Sequence, residues 1–177
     1  MAVTTTVTTR TLRGDCAHCA SMCCVALAFD RSPSFAVNKP AGAPCQNLDA
    51  AGQCTIHENL DQRGYKGCVA YDCLGAGQRI TQDIFGGRHW LEDRRLLEPM
   101  SRAFAVMRRI HGMLELLAAA EALPLDTGER ARLAGLAAKL EPRQGWSEAS
   151  LKAAPISQIG AEVNAFLQSL RRHASAR

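Results

Sequence analysis

Leu97, Met100, Phe104, Met107, Ile110, Leu114 and Leu117 recur at steps of three and four, the spacing that places side chains on one face of an α-helix. Glu92, Arg94, Arg95, Arg102, Arg108 and Arg109 lie mostly off that line. The pattern predicts an amphipathic helix within residues 91–123, with Pro99 as its start or a kink and Pro124 beyond its end. Asp126 followed by Glu129 has the form of a capping box for a helix from about Thr127 to Leu140, with Leu133, Leu136 and Leu140 on its apolar side. Pro142 and Gly145 make the next break. Pro155 suits the first turn of a last helix running through Ile159, Val163, Phe166, Leu167 and Leu170. The tail from Arg171 to Arg177 is basic and polar; it complements a helix C-terminus and is expected to fray.

The first half has no such rhythm. Pro33, Pro40, Pro44 and a series of glycines from Gly14 to Gly87 interrupt it every few residues, so short helical turns, loops and small strands are expected there. The threonine-rich stretch before Gly14 reads as a flexible or edge-strand leader. The chain therefore divides into a leader (1–13), a cysteine-bearing region (14–90) and a helical region (91–177). The expected fold is mainly α: a loop-rich, cysteine-ligated N-terminal half packed on a C-terminal helical hairpin or three-helix lobe.

Composition adds limits. At 177 residues the chain can bury a real core. The longest unbroken apolar run, Cys23 to Phe29, is far short of the ~20 residues a membrane-spanning helix needs. A net charge of +4 with only 5% aromatic residues is a weak basis for nucleic-acid binding, although Arg94, Arg95, Arg102, Arg108, Arg109, Arg171 and Arg172 could supply a charged face. The plainer reading is a solvated face with local partners such as Glu98 with Arg102.

The cysteines change the picture most. All eight, Cys16, Cys19, Cys23, Cys24, Cys45, Cys54, Cys68 and Cys73, precede the helical region. Met1 to Arg13 lacks the apolar segment of a secretory signal, so the cytosol is the expected compartment and reduced thiols the expected state. Clustered cytosolic cysteines are more often metal ligands or redox groups than disulfides. Cys16-x-x-Cys19 can turn two thiolates onto one ion, and eight thiolates suffice for two tetrahedral zinc ions or two four-cysteine iron–sulfur clusters. A loop-rich segment also needs a staple, which a bound metal supplies. Neighbouring side chains diverge, so Cys23 and Cys24 serve different ions, or one of them packs; Cys24, leading into Val25-Ala26-Leu27, is the first candidate for plain core. His18 and His57 lie among the cysteines as optional ligands, while His89, His111 and His173 lie outside them. Met100, Met107 and Met113 read as interior filler.

Cys16-x-x-Cys19-x-x-x-Cys23-Cys24, Pro44-Cys45-x-x-Leu48, Gly52-Gln53-Cys54-Thr55-Ile56-His57 and Gly67-Cys68-x-x-Tyr71-x-Cys73 resemble the YkgJ-type cysteine-cluster family, a zinc- or iron-chelating domain often described as containing an iron–sulfur cluster. The arrangement is also similar to the N-terminal region of actinobacterial pentapeptide-repeat proteins, which share a Cys-Cys-Val-Ala-Leu segment and a stretch like Tyr71-Asp72-Cys73-Leu74-Gly75-Ala76-Gly77-Gln78. The chain departs from the family in having three residues between Cys19 and Cys23 rather than two, and in His57 where tyrosine is common. It carries no pentapeptide repeats, so their DNA-mimicking role does not transfer. The resemblance implies chelation of a 4Fe-4S cluster, with zinc as the alternative, and gives no reaction.

Three functions compete. The first is a cytosolic metal- or cluster-binding protein whose centre is structural, sensing or redox-active. The second is a metal-dependent redox enzyme, in which Asp72 and His57 could move protons. Against it, Gly75-Ala76-Gly77 is a lone G-x-G and reads as a tight turn, and no G-x-S-x-G or H-E-x-x-H occurs. The third is a metal-stapled module for a protein or nucleic-acid partner, with nucleic acid disfavoured on the grounds above.

Overall fold

A computed structural model describes residues 12–174. In chain order its helices are α1 (Met22–Ala26), α2 (Lys66–Ala70), α3 (Ala76–Arg79), α4 (Leu97–Glu121), α5 (Thr127–Leu140), α6 (Glu148–Ala153), α7 (Ile156–Ser169) and α8 (Arg171–Ala174). Single 3-10 turns form at Cys16–His18, His57–Asn59 and Arg94–Leu96, and a π turn, Ile80–Ile84, continues α3. Among the described residues the only extended pairings are isolated bridges, Phe29 with Lys39, Ser32 with Phe35 and Leu48 with Cys54. The fold is mainly α. Small strands, expected in the first half, are replaced by these bridges because proline and glycine cut every extended run short. Among the described residues no helix is long and apolar enough to cross a membrane.

Helix α4 is the axis. Met100, Phe104, Met107, Ile110, Leu114 and Leu117, the residues of the apolar rhythm, are all buried along it. Pro99 sits in its first turn, where a missing amide costs nothing. α1, α3, α5, α6 and α7 all pack on α4, and α5 also packs on α7. α5 has the predicted bounds, with Asp126 accepting from the Glu129 amide at 2.8 Å and Glu129 accepting from the Asp126 amide at 2.9 Å. α7 begins one residue after Pro155, which takes the N-cap place rather than the first turn. α6 was not legible in the apolar rhythm; its mark is the Ser147–Ser150 capping box. Met100 and Met107 are fully buried as interior filler, and Met113 packs at the edge of the same core.

The first and last described residues are more tied down than the sequence suggests. The leader lies outside the described residues as far as residue 11, but Leu12 packs against the core and the Arg13 carbonyl accepts from Gln78 Nε2 at 2.9 Å. In the basic tail, Arg171–Ala174 is helical, and Arg172 donates to Glu129 at 2.7 Å while His173 lies 3.1 Å from the same carboxylate. The acidic cap of α5 holds Arg172 and His173, which composition alone does not reveal.

The cysteine-bearing and helical regions share one core. Ala20, Met22, Val25, Ala76, Ile80, Phe85 and Trp90 join the buried residues of α4, α5 and α7 in a single cluster. Arg79, 8% exposed, reaches across that boundary to Glu141 at the end of α5, at 2.8 Å. Buried unpaired arginine is costly, so this link fixes α3 against α5.

Candidate metal centre

The Cys16–Cys19 turn is built by Asp15, whose carboxylate accepts from the Ala17 amide at 3.1 Å and caps the 3-10 turn. Side chains after Cys73 then fasten it. Gln78 Oε1 accepts from the Asp15 amide at 2.7 Å, and Gln82 Nε2 donates to the His18 carbonyl at 2.9 Å. Thr81 Oγ1 accepts from the Ala20 amide at 2.9 Å, and Trp90 Nε1 donates to the Ala20 carbonyl at 2.8 Å. Both peptide groups of buried Ala20 are thus satisfied by side chains from one stretch. The π turn aims Thr81 and Gln82 back at the cysteine loop, a use to which such bulges are commonly put.

Helix α1 buries Met22 and Val25 in the core and turns Cys23 and Cys24 the other way. Lys39 caps it: its buried ammonium donates to the carbonyls of Val25 at 2.9 Å, Leu27 and Pro40. Among the described residues two non-glycine residues hold left-handed backbone, Ser21 (φ 54°) between Cys19 and Cys23, and Leu74 (φ 53°) directly after Cys73. A leucine there is strained, and strain of this kind gathers at functional sites. Gly77 sits so close to Cys19 that a Cβ on it would lie 2.5 Å from the sulfur. Of the Gly75-Ala76-Gly77 stretch expected as a tight turn, only Gly75, at φ 80°, lies in the turn; Ala76 and Gly77 already belong to α3.

All eight cysteines line one cavity of about 930 Å³, and all eight are free thiols. Cys16 is exposed and the other seven are half-buried. Cys24 faces this cavity and is not plain core, because the two residues flanking the Cys23–Cys24 pair, Met22 and Val25, take the inward positions of the helix. His57 and Asp72 stand on the same wall. His18 does not; it is exposed and paired with Asp15 at 2.8 Å. His89, His111 and His173 lie elsewhere, His111 buried with Nδ1 2.6 Å from the Leu74 carbonyl.

Burial pushes the Cys19 thiol up to about 12 and the Cys68 thiol up to about 11. Cys16 and Cys54 are raised as well, first by burial and then by neighbouring cysteines. Within the adjacent pair Cys23 ionises more readily: the Cys24 thiol, 3.9 Å away, hydrogen-bonds to its sulfur, and Arg108 adds positive charge. Cys24 is raised by that same contact and by burial.

The donor set fits a thiolate-bound group: eight sulfurs, one hydrogen-bond-capable phenol and one cation face a common space. The Tyr71 hydroxyl is buried at the cavity lining without a partner among the described residues. Arg108 stacks over Tyr71 at 5.1 Å and Phe104 at 5.9 Å, and no carboxylate among the described residues pairs with it. Among the described residues no three cysteine, histidine or acidic side chains stand close enough to hold one ion without moving. Ligation therefore requires the thiols to turn inward across the cavity, which couples binding to local ordering.

The sequence reading placed Arg108 on a charged face and Tyr71 within a cysteine motif, and gave neither a role at the site. The available signal was Arg108 one helical turn after Phe104, a buried aromatic. Of the other arginines of that expected face, Arg102 pairs with Glu98, Arg95 with Asp93, Arg172 with Asp126 and Glu129, Arg109 donates to the Ser157 hydroxyl at 3.3 Å, and Arg94 covers Trp90 at 4.8 Å.

Over 158 residues the chain is 37% identical to the uncharacterized protein YybG of Bacillus subtilis (strain 168), a match that covers 88% of this chain and 56% of that protein. The chain thus spans about half the length of the curated relative it matches. No protein-family model matches the chain, and no solved structure does.

Proposed function

We propose that this chain binds metal through its cysteine thiolates, as an iron–sulfur cluster protein of the YkgJ type working in the cytosol, with zinc as the alternative occupant. The observation that carries the reading is the convergence of all eight free thiols, drawn from four separate chain segments, on a single cavity. Unligated cysteines of a plain core scatter among apolar neighbours; here the apolar positions beside them, Met22 and Val25, are the ones in the core. All-sulfur donors suit iron–sulfur clusters and zinc alike, and the resemblance of the motifs favours the cluster. The resident group would serve as a staple for the loops of residues 14–90 and as a sensing or redox centre. Tyr71 offers it a hydrogen bond and Arg108 a counter-charge, and both tune the reduction potential of sulfur-ligated clusters.

A second reading, a redox enzyme, has one observation in its favour. A space of about 930 Å³ lies within the range of small-molecule sites, and Arg108 could hold an anionic substrate there.

Cys54→Ala and Cys68→Ala test the first reading. Each is expected to lose bound metal and visible absorption and to melt at lower temperature, since ligation free energy is folding free energy. Unchanged metal content in both variants rejects it. Arg108→Gln separates the readings: a counter-charge variant keeps its metal with a shifted potential, whereas an enzyme variant loses turnover of an anionic substrate.

A further inference from the structure

We propose that the eight thiols form two four-cysteine centres, Cys16, Cys19, Cys23 and Cys73 in one and Cys24, Cys45, Cys54 and Cys68 in the other, meeting at the Cys23–Cys24 edge. The inference rests on the metal-binding reading above and assigns its ligands.

The first set is assembled by contacts between the N-terminal turn and the chain around Cys73. The Cys19 amide donates to the Cys16 carbonyl at 3.4 Å, closing the turn that carries both thiols. Gln78 bridges from α3 to Arg13 and Asp15 on either side of Gly14. A Cβ on Gly14 would lie 3.6 Å from the Cys73 sulfur, and one on Gly77 would lie 2.5 Å from the Cys19 sulfur. Bare Gly77 therefore lets the Cys16–Cys19 turn approach α3, which follows the Cys73 turn, and Gly14 lies within contact range of the Cys73 sulfur.

The second set is assembled by a different group of contacts. The Cys45 amide donates to the Cys24 carbonyl at 2.9 Å. The Leu48 amide donates back to Cys45 at 3.1 Å, and Leu48 forms a bridge with Cys54. The Thr55 amide donates to the Asn47 carbonyl at 2.8 Å, locking the Cys45 and Cys54 loops together. Cys68 follows from Tyr65: its amide donates to the Tyr65 carbonyl at 2.9 Å, and the Tyr65 hydroxyl accepts from Gln46 Nε2 at 3.3 Å.

Cys23 lies at the seam, its sulfur 3.9 Å from that of Cys24. Cys24 is tied to Cys45 through the backbone, so Cys23 completes the first quartet. Consecutive side chains point apart, which lets one dipeptide serve two ions, here with sulfurs 3.9 Å apart. Loading each quartet with a divalent cation turns four thiols inward, forms four metal–sulfur bonds and releases up to four protons to solvent.

Cadmium(II), a thiophilic spectroscopic substitute for zinc or iron, tests the partition on the reduced, metal-free full chain. The expected result is two cadmium ions per chain. Cadmium NMR should correlate one resonance with the β-protons of Cys16, Cys19, Cys23 and Cys73, and the other with those of Cys24, Cys45, Cys54 and Cys68. As a second measurement, the within-set double variant Cys16→Ser/Cys73→Ser should lose one of the two ions, and the across-set variant Cys19→Ser/Cys45→Ser should weaken both. One ion per chain, or correlations that mix the sets, overturns the partition while leaving metal binding intact. A chain that takes up no cadmium overturns the metal-binding reading itself, and the partition with it.

Discussion

Gly77 shows how much a single position contributes. It has ordinary helical backbone, so its requirement is space: any side chain would collide with the Cys19 sulfur. Gly77→Ala is expected to displace that sulfur and cost about 1–3 kcal/mol, the usual penalty for overpacking, with reduced metal uptake. Chemical denaturation beside metal analysis checks both effects; an alanine variant as stable and metal-competent as the parent would show that Cys19 is not held there. In the sequence Gly77 reads only as part of a turn, because the collision involves a residue far away in the chain. The cysteines were legible as a group from type and number. Their common cavity was not, since it depends on Ser21 and Leu74 turning the chain the left-handed way, which neither residue type announces.

Helices divide by what made them. α4, α5 and α7 were legible because they bury a stripe of side chains at helical spacing, and α5 also carries a capping box. α1, α2 and α3 have four or five residues each, too few to show a period, and they exist through tertiary contacts. The cap of α5 gives a pH prediction. The Glu129 carboxyl is held below its ordinary 4.5, chiefly by the Asp126 amide and then by His173 and Arg172. A carboxylate whose folded pKa is depressed stabilises the fold above its unfolded value and loses that contribution as pH falls through the folded value. The melting temperature should therefore decline as pH drops below about 4.5, and Glu129→Gln should lie below the parent at pH 7 with a shallower acid slope. Thermal melts from neutral to acid pH check this; parallel slopes for the two proteins would contradict it.

Across the whole molecule, the helical region serves as the wall on which the cysteine loops hang. Phe104 is fully buried, near Gly77 on one side and under Arg108 on the other, so one side chain supports both core and cavity. Phe104→Ala is expected to cost about 3–5 kcal/mol and to lower metal retention with it. Equilibrium unfolding followed by helical signal and by metal release should show the two transitions coinciding, because α1 and α3 share a core with α4. The cysteine-bearing region is thus packed on the helical region through one shared core. The Arg79 link to Glu141 crosses the same boundary, and charge pairing at that distance in sequence leaves no local pattern to read.

The most direct test of the account is metal analysis by mass spectrometry, with sulfide assay and visible spectrum, on the full chain isolated without oxygen. The account predicts a brown protein with stoichiometric iron and acid-labile sulfide, lost when Cys54 or Cys68 is replaced; stoichiometric zinc in a colourless protein would keep the thiolate centre and exchange its metal. A chain carrying neither metal in stoichiometric amount, with all eight thiols free to react at once with an alkylating reagent, would contradict it.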